Sequence, residues 1–344
     1  MTGSLTGFEL IIHIGSGKTG STSIQQTLAT NTEILETYKT RYLGLLGEGF
    51  AETFYTWQRQ HGWLELLDLQ EQAPEQLLAC FNYSLPELVR LGYKRAIWSN
   101  EALFSCPDLI LPVLSSLAEK GVKLNGIVYI RRHDAWARSA YLQWGIRHKS
   151  YKGKLKSFEE WSKDRNFSYM DKLESWLDTK DLKLNVRNYD ALDNVVTDFL
   201  EFCQMDASAF SLLRANESPS DLALVMWAMF NGQYEEEVLP NSLMPLLAQG
   251  GLIDSVAEDI LLTELLPKLE DLQTIREVYK KDRERLNVLF EQSGFDKMPE
   301  EDLEFKPISV SQGQINAALL QMLKAQNDKI RSLENRLNRF RQNS

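Results

Sequence analysis

Between Phe8 and Ser23 an apolar run, Phe8-Glu9-Leu10-Ile11-Ile12-His13-Ile14, passes without a gap into Gly15-Ser16-Gly17-Lys18-Thr19-Gly20-Ser21-Thr22-Ser23. A buried strand, a glycine-punctuated loop and a helix start, in that order, turn backbone amides and one lysine toward a bound anion. The stretch predicts an α/β domain with this loop at the C-terminal end of a parallel strand. Its ending, Gly17-Lys18-Thr19, looks like the close of a Walker A motif. That motif also needs a glycine five positions before Gly17, where Ile12 stands inside the strand. The spacing excludes an ordinary ATP or GTP loop.

The chain that follows alternates strand and helix signals. Ser21 to Ala29 reads as a helix, Tyr42 to Leu46 as a short strand, and residues 50–92 as mostly helical and rich in aromatics. Lys94 to Ser99 reads as a strand ending in Asn100-Glu101, and Pro107 to Lys120 as a helix stopped by Gly121. Val122 to Ile130 is the next strand, Asp134 to Arg147 the next helix, Leu182 to Val186 a further strand and Ala191 to Cys203 its helix. This alternation predicts a three-layer fold, a parallel sheet covered by helices on both faces. From Ser218 onward strand signals stop, so the C-terminal half is expected to be helical. Ser220-Asp221 opens one helix, and Gly294 ends the pattern that runs through 269–292. We expect one domain over 1–306, with a sheet core at about 8–204 and a helical part at about 218–295. Residues 307–344 form a separate helix. There Leu323, Gln326, Ile330, Leu333, Leu337 and Phe340 alternate by three and four, which suits either docking on the domain or a short coiled coil joining a homo-oligomer.

Composition narrows the function. The net charge of −10 argues against a nucleic-acid polymer as partner. No apolar run reaches the length of a membrane span. Cys80, Cys106 and Cys203 are far apart, without metal or disulfide spacing, and suit buried positions in a reducing, cytoplasmic compartment. One segment opposes the overall charge. From Arg131 to Lys156 there are eight Lys/Arg, at 131, 132, 138, 147, 149, 152, 154 and 156, against the single acid Asp134. Such a run is either a solvated face or a local field for anions.

Two constellations carry chemistry. In the first, Lys18 stands among the hydroxyls of Thr19, Ser21, Thr22 and Ser23, a donor set suited to phosphate or sulfate. In the second, Arg131 leaves the end of a strand and Ser139 follows eight residues later on a helix, so that both can face one anion. Together they make two anion pockets at C-terminal strand ends, where open α/β sheets take their ligands.

These residues, in this order, resemble the sulfotransferases that use 3′-phosphoadenosine 5′-phosphosulfate. The opening Ile-His-Ile-Gly-(two residues)-Lys-Thr-Gly-Ser is similar to that of the bacterial branch. Val186-Arg187-Asn188-Tyr189-Asp190 and Asn216-Glu217-Ser218 resemble further stretches common there. The resemblance implies a P-loop-like phosphosulfate loop in which Gly17, Lys18, Thr19, Gly20, Ser21 and Thr22 hold the 5′-phosphosulfate and Lys18 bridges to the transferring sulfuryl group. It implies that Arg131 and Ser139 hold the 3′-phosphate. The Arg-Lys-Gly segment with which soluble animal enzymes clamp that phosphate has no counterpart here; Arg132, Arg138 and Arg187 are candidate substitutes.

Sulfuryl transfer to a hydroxyl needs a group to take the acceptor proton. Ser99-Asn100-Glu101 at a strand end resembles the glutamate branch of the family, and Glu101 is the expected base, against the alternative of a helix-capping carboxylate. His133 and His148 are the histidine alternatives, whereas His13 reads as a core residue. Trp136, Tyr141, Trp144 and Tyr189 lie near the expected edge, and none is assigned to the adenine. No histidine-cysteine cluster suggests a metal, and the chemistry requires none. The expected acceptor is a hydroxyl, less readily an amine, of a glycan or small metabolite. A P-loop kinase or nucleotidase, and a non-enzymatic nucleotide-binding scaffold, are the competing classes.

Overall fold

A computed structural model describes residues 5–50, 52–59, 62–213, 220–232, 234–238, 245, 265–303 and 308–342. In chain order these form β1 (Glu9–Ile14), α1 (Ser21–Thr30), α2 (Thr32–Thr37), β2 (Thr40–Tyr42), α3 (Trp63–Asp68), α4 (Ala73–Arg90) and β3 (Arg95–Asn100). Next come α5 (Pro107–Glu119), β4 (Lys123–Ile130), α6 (His133–Ala140) with a π-helical continuation over Tyr141–Arg147, α7 (Phe158–Ser162), α8 (Met170–Leu177) and β5 (Leu182–Asn188). The remainder is helical: α9 (Val195–Phe202), α10 (Asp221–Asn231), α11 (Leu269–Val278), α12 (Lys280–Gln292) and α13 (Gln312–Gln342). Two compact units result. The first comprises Met1–Arg132, Ser168–Asn216 and Tyr279–Glu300; the second comprises His133–Phe167, Glu217–Val278 and Glu301–Ser344.

The first unit is built on a five-stranded, all-parallel sheet in the order β2-β3-β1-β4-β5. From Leu10 to Ile14 every residue of β1 is buried, as a central strand covered on both faces requires. Alternate side chains serve opposite layers. Ile11, Ile97 and Ile127 meet Ile24 and Leu28 of α1 and Phe199 of α9 on one face. On the other, Trp98 of β3 meets the Phe81 ring of α4 edge-on at 5.4 Å, and α5 and α8 pack on β4 and β5. The chain leaves β1 toward β2 and leaves β4 toward β5, in opposite directions. Neighbouring strands whose connections diverge open a crevice at their C-terminal ends, and here the loop after β1 and the segment after β4 border it.

In the second unit α11 packs on α6, and the start of α13 packs on α10. Val310, Ile315 and Ala318 are buried, whereas Leu320, Leu323, Ile330 and Leu333 are exposed. Among the described residues no helix is long and apolar enough to cross a membrane.

Several elements differ from expectation for identifiable reasons. The second strand is Thr40–Tyr42, paired with Arg95 to Ile97, because the chain turns away at Gly44, whose φ is +78°. Residues 52–59 lie outside any helix, and the helical content of 50–92 starts only at Trp63. The helix expected over 134–147 widens into a π-helix where the Tyr141 ring fills the space beside Gly145; a Cβ there would lie 2.3 Å from the ring. α9 begins at Val195 rather than Ala191 because the Asn194 side chain accepts from the amides of Val196 and Thr197, capping the helix at that point. Cys80 and Cys203 are buried as expected, but Cys106 is only partly so. Asn216-Glu217-Ser218 lies outside the described residues.

Trp98 is 1% exposed, and its indole donates to the Leu45 carbonyl at 2.9 Å. Trp98→Ala is expected to lower unfolding free energy by about 3–5 kcal/mol. Leu323→Ala, at an exposed position, should change it by less than about 0.5 kcal/mol. Urea unfolding followed by far-UV circular dichroism checks both values.

Candidate functional site

The loop from Gly15 to Gly20 owes its shape to backbone that most residues avoid. Gly17, Lys18 and Gly20 all have positive φ, at 67°, 55° and 79°. For Lys18 this left-handed conformation costs on the order of 1 kcal/mol or more and persists only where the surroundings enforce it. Two contacts do so: the Ser16 hydroxyl donates to the Tyr129 carbonyl of β4 at 2.7 Å, and Arg131 Nη1 donates to the Lys18 carbonyl at 3.4 Å. Gly20 caps α1 with no side-chain cap bond, so the first amides of that helix face the loop unscreened by a capping side chain. Thr19 Oγ1 and Ser21 Oγ are both buried and have no hydrogen-bond partner among the described residues. An unmade hydrogen bond of this kind costs about 1–3 kcal/mol unless an acceptor arrives. A helix N-terminus, a lysine and two such hydroxyls form a donor set that fits phosphate or sulfate oxygens.

Glu101 borders the same loop. A Cβ on Gly15 would stand 2.7 Å from Glu101 Cα and 2.8 Å from both Glu101 Cβ and Ser21 Oγ, so only glycine allows this approach. The end of β3 is held by Asn100, whose Nδ2 donates to the Leu45 carbonyl at 2.9 Å and whose Oδ1 accepts from the Ala102 amide at 2.9 Å. The cap of the short helical turn over Glu101–Ser105 is therefore Asn100, which leaves the Glu101 carboxylate out of that role. Glu101 keeps an exposed surface, yet the protein around its carboxyl desolvates it and raises its pKa, with the Lys18 ammonium opposing the shift. The carboxylate is accessible and more basic than a free glutamate, two properties of a general base.

On the other side of the loop, Arg131 is anchored by a residue to which sequence reasoning gave no role. Asp190 Oδ2 accepts from the Arg132 amide at 2.6 Å, and Oδ1 lies 3.9 Å from Arg131 Nε. The Asp190 amide in turn donates to Asn188 Oδ1 at 3.0 Å. Tyr189 lies 5.5 Å below the Arg131 guanidinium and borders Gly20. The Val-Arg-Asn-Tyr-Asp run was the available signal, but its purpose emerges only once β5 is set beside β4.

The first unit thus brings together Gly17, Lys18, Thr19, Gly20, Ser21, Thr22, Glu101 and Arg131 around one loop. Ser139 lies on α6 in the second unit, half-buried. His13 is fully buried, its Nδ1 2.7 Å from Ser99 Oγ, between Tyr129 and Phe199. Burial lowers its pKa to about 3, which keeps it neutral. Arg187 is committed elsewhere, 2.5 Å from Asp198 Oδ1 and flanked by the Phe202 and Phe295 rings. The basic run also divides. Lys152 forms an exposed pair with Glu236, but Lys149 is completely buried and donates to the Tyr234 and Glu236 carbonyls at 2.6 and 2.8 Å. Trp136 packs with Trp144 and Phe167, and Tyr141 is a core residue.

No family model matches the chain, and no curated protein matches it. Among solved structures, retinol dehydratase in complex with androsterone and the inactive cofactor PAP aligns with 87% of this chain and 83% of its own, at 12% identity and a TM-score of 0.23. That likeness is too slight to carry function across.

A carboxyl whose pKa is raised by folding favours the folded state most below its unfolded value, about 4.5, and loses that contribution as pH rises through the folded value. Glu101→Gln is therefore expected to leave the melting temperature at pH 7 unchanged or slightly raised. Differential scanning calorimetry at pH 5 and pH 7 checks the sign.

Proposed function

We propose that the chain is a sulfotransferase that moves a sulfuryl group from 3′-phosphoadenosine 5′-phosphosulfate to a hydroxyl of a glycan or small metabolite. The observation that carries this reading is the pair of buried hydroxyls on Thr19 and Ser21, unpartnered among the described residues, in the loop that contains Lys18 and borders Glu101. The loop motif and the later Arg131 and Ser139 pair resemble those of the family that uses this donor. An amine acceptor is the less favoured variant, because a glutamate base suits removal of a hydroxyl proton.

When bound, the donor supplies an activated sulfuryl group and leaves as 3′,5′-diphosphoadenosine. Gly17 to Thr22 would hold its 5′ end through the amides at the start of α1 and the hydroxyls of Thr19, Ser21 and Thr22. Lys18 would place its ammonium where negative charge grows as the S–O bond to the phosphate breaks. Arg131, kept in place by Asp190, would hold the 3′-phosphate, a role that the resemblance also gives to Ser139. Glu101 would accept the proton of the acceptor hydroxyl at a carboxylate oxygen as that hydroxyl bonds to sulfur. None of these roles calls on a metal. Among the described residues no group of three or more His, Cys, Asp or Glu is arranged to hold one.

The same reading extends to the rest of the chain. Residues 1–306 would form the catalytic region and 307–344 an appended helix, whose exposed Leu323, Ile330 and Leu333 would pair chains into a homo-oligomer. Three free cysteines suit the cytoplasm.

Two measurements test the reading. In calorimetry, 3′,5′-diphosphoadenosine should bind more tightly than ATP with Mg²⁺; preference for ATP would favour a kinase and overturn the proposal. In transfer assays with the phosphosulfate donor and a panel of hydroxyl acceptors, Lys18→Ala should cost about 10²–10³ in rate. Glu101→Gln should cost about 10²–10⁴ and abolish the acidic limb of the pH profile, which in the wild type lies above that of a free glutamate. Donor binding without any transfer would indicate a scaffold instead.

A further inference from the structure

The second unit contains a group of polar atoms that the phosphate loop does not explain. The π-helical segment ends at Arg147, and α10 runs against it: Asn231 Nδ2 donates to the carbonyls of Ile146 and Arg147, the latter at 3.3 Å. One turn earlier on α10, the Trp227 ring lies under the Arg147 guanidinium, 4.9 Å from Cζ to ring centroid. Trp227 and Asn231 are each 1% exposed. Arg147 Nε, Trp227 Nε1 and Asn231 Oδ1 are all buried and without a hydrogen-bond partner among the described residues. Native structures leave few such atoms unpaired, and each lone one calls for an explanation.

The charge balance points the same way. Two residues on, the buried Lys149 directs its ammonium at carbonyl oxygens, not at a carboxylate. Burial desolvates the Arg147 guanidinium and lowers its pKa. Among the described residues, a desolvated guanidinium stacked on an indole whose N–H is unpaired makes two donors with net positive charge and no partner anion. Stacking on the ring face orients the planar guanidinium but supplies no acceptor for Nε–H. Arg147 is half-buried, so the group is not sealed from solvent.

We propose that Arg147 and Trp227 form an oxyanion-binding site in the second unit, taking a carboxylate or sulfate group whose oxygens accept from Arg147 Nε–H and Trp227 Nε1–H. Asn231 Oδ1, an acceptor, would take a hydroxyl on the same ligand. A sugar acid or a sulfated sugar combines these features. The site depends on residues of the second unit only and stands independently of the phosphosulfate reading.

The test follows the Trp227 indole ¹⁵N–¹H resonance, assigned through Trp227→Phe, during titration of the full chain with sodium sulfate and separately with sodium glucuronate, at ionic strength held constant with sodium chloride. At least one of the two anions should shift the resonance saturably, while chloride does not; which anion does so identifies the favoured group. Arg147→Gln should weaken that binding about tenfold or more, the loss expected for a charge-assisted hydrogen bond. Lys18→Ala should leave the response intact, which separates this site from the phosphate loop. A response that fails to saturate with either anion, that equals the chloride response, or that survives in Arg147→Gln or vanishes in Lys18→Ala would overturn the proposal. If Arg147→Gln does not fold, Trp227→Phe decides by calorimetry, since it keeps an aromatic face under the guanidinium and removes the N–H together with the five-membered ring; unchanged anion affinity would then overturn the proposal.

Discussion

The close passage of Gly15 against Glu101 is the constraint on which the first unit depends. β1 and β3 are paired in register through Ile14 and Asn100, so their ends emerge side by side. Gly15, lacking a side chain, lets the backbone of Glu101 lie directly against the loop, with the Ser21 hydroxyl at the same point. Any larger residue would push the β3 end away and separate Glu101 from the loop and the Ser21 hydroxyl. The positive φ at Gly17, Lys18 and Gly20 then follows from turning the chain into α1 within that space.

Below the loop the sheet is polar where a purely structural sheet would be apolar. Tyr129 donates to Asp198 at 2.6 Å, which also receives Arg187, and His13 bonds Ser99 through Nδ1 while its buried Nε2 has no partner among the described residues. Such internally paired groups cost little and fix the orientation of their strands. Thr19 and Ser21, one layer above, are not paired among the described residues. Asp190 accepts from the Arg132 amide and lies 3.9 Å from Arg131 Nε, which fixes the chain after β4 beside the loop.

The sheet was legible in the sequence because its central strands are mostly continuous apolar runs, and the helix after Ser220 because that residue is a recognisable cap; the Asn194 cap was not read, and its helix was expected to start at Ala191. β2 was misplaced because a three-residue edge strand has little pattern of its own and is defined by pairing with β3. Lys149 belongs to the basic run that the sequence leaves open between a solvated face and a field for anions. Its burial depends on carbonyls at Tyr234 and Glu236, more than eighty residues away, which no local pattern encodes. Asp190 and Trp227 were missed for the same reason. Their roles come from what lies beside them in space, whereas Lys18 and Glu101 announce themselves through neighbours in the chain.

The central claim is that the loop after β1 carries buried hydroxyls meant for a ligand. Their removal tests it most directly, through the double variant Thr19→Val with Ser21→Ala. Unpaired buried hydroxyls destabilise the free protein and strengthen binding, so the two effects of removing them should have opposite signs. Thermal unfolding of the free variant, paired with calorimetric titration of 3′,5′-diphosphoadenosine, is expected to give a melting temperature equal to or above that of the wild type and an affinity at least about tenfold weaker. A lower melting temperature with unchanged affinity would contradict the account, because the hydroxyls would then support the fold and not the ligand.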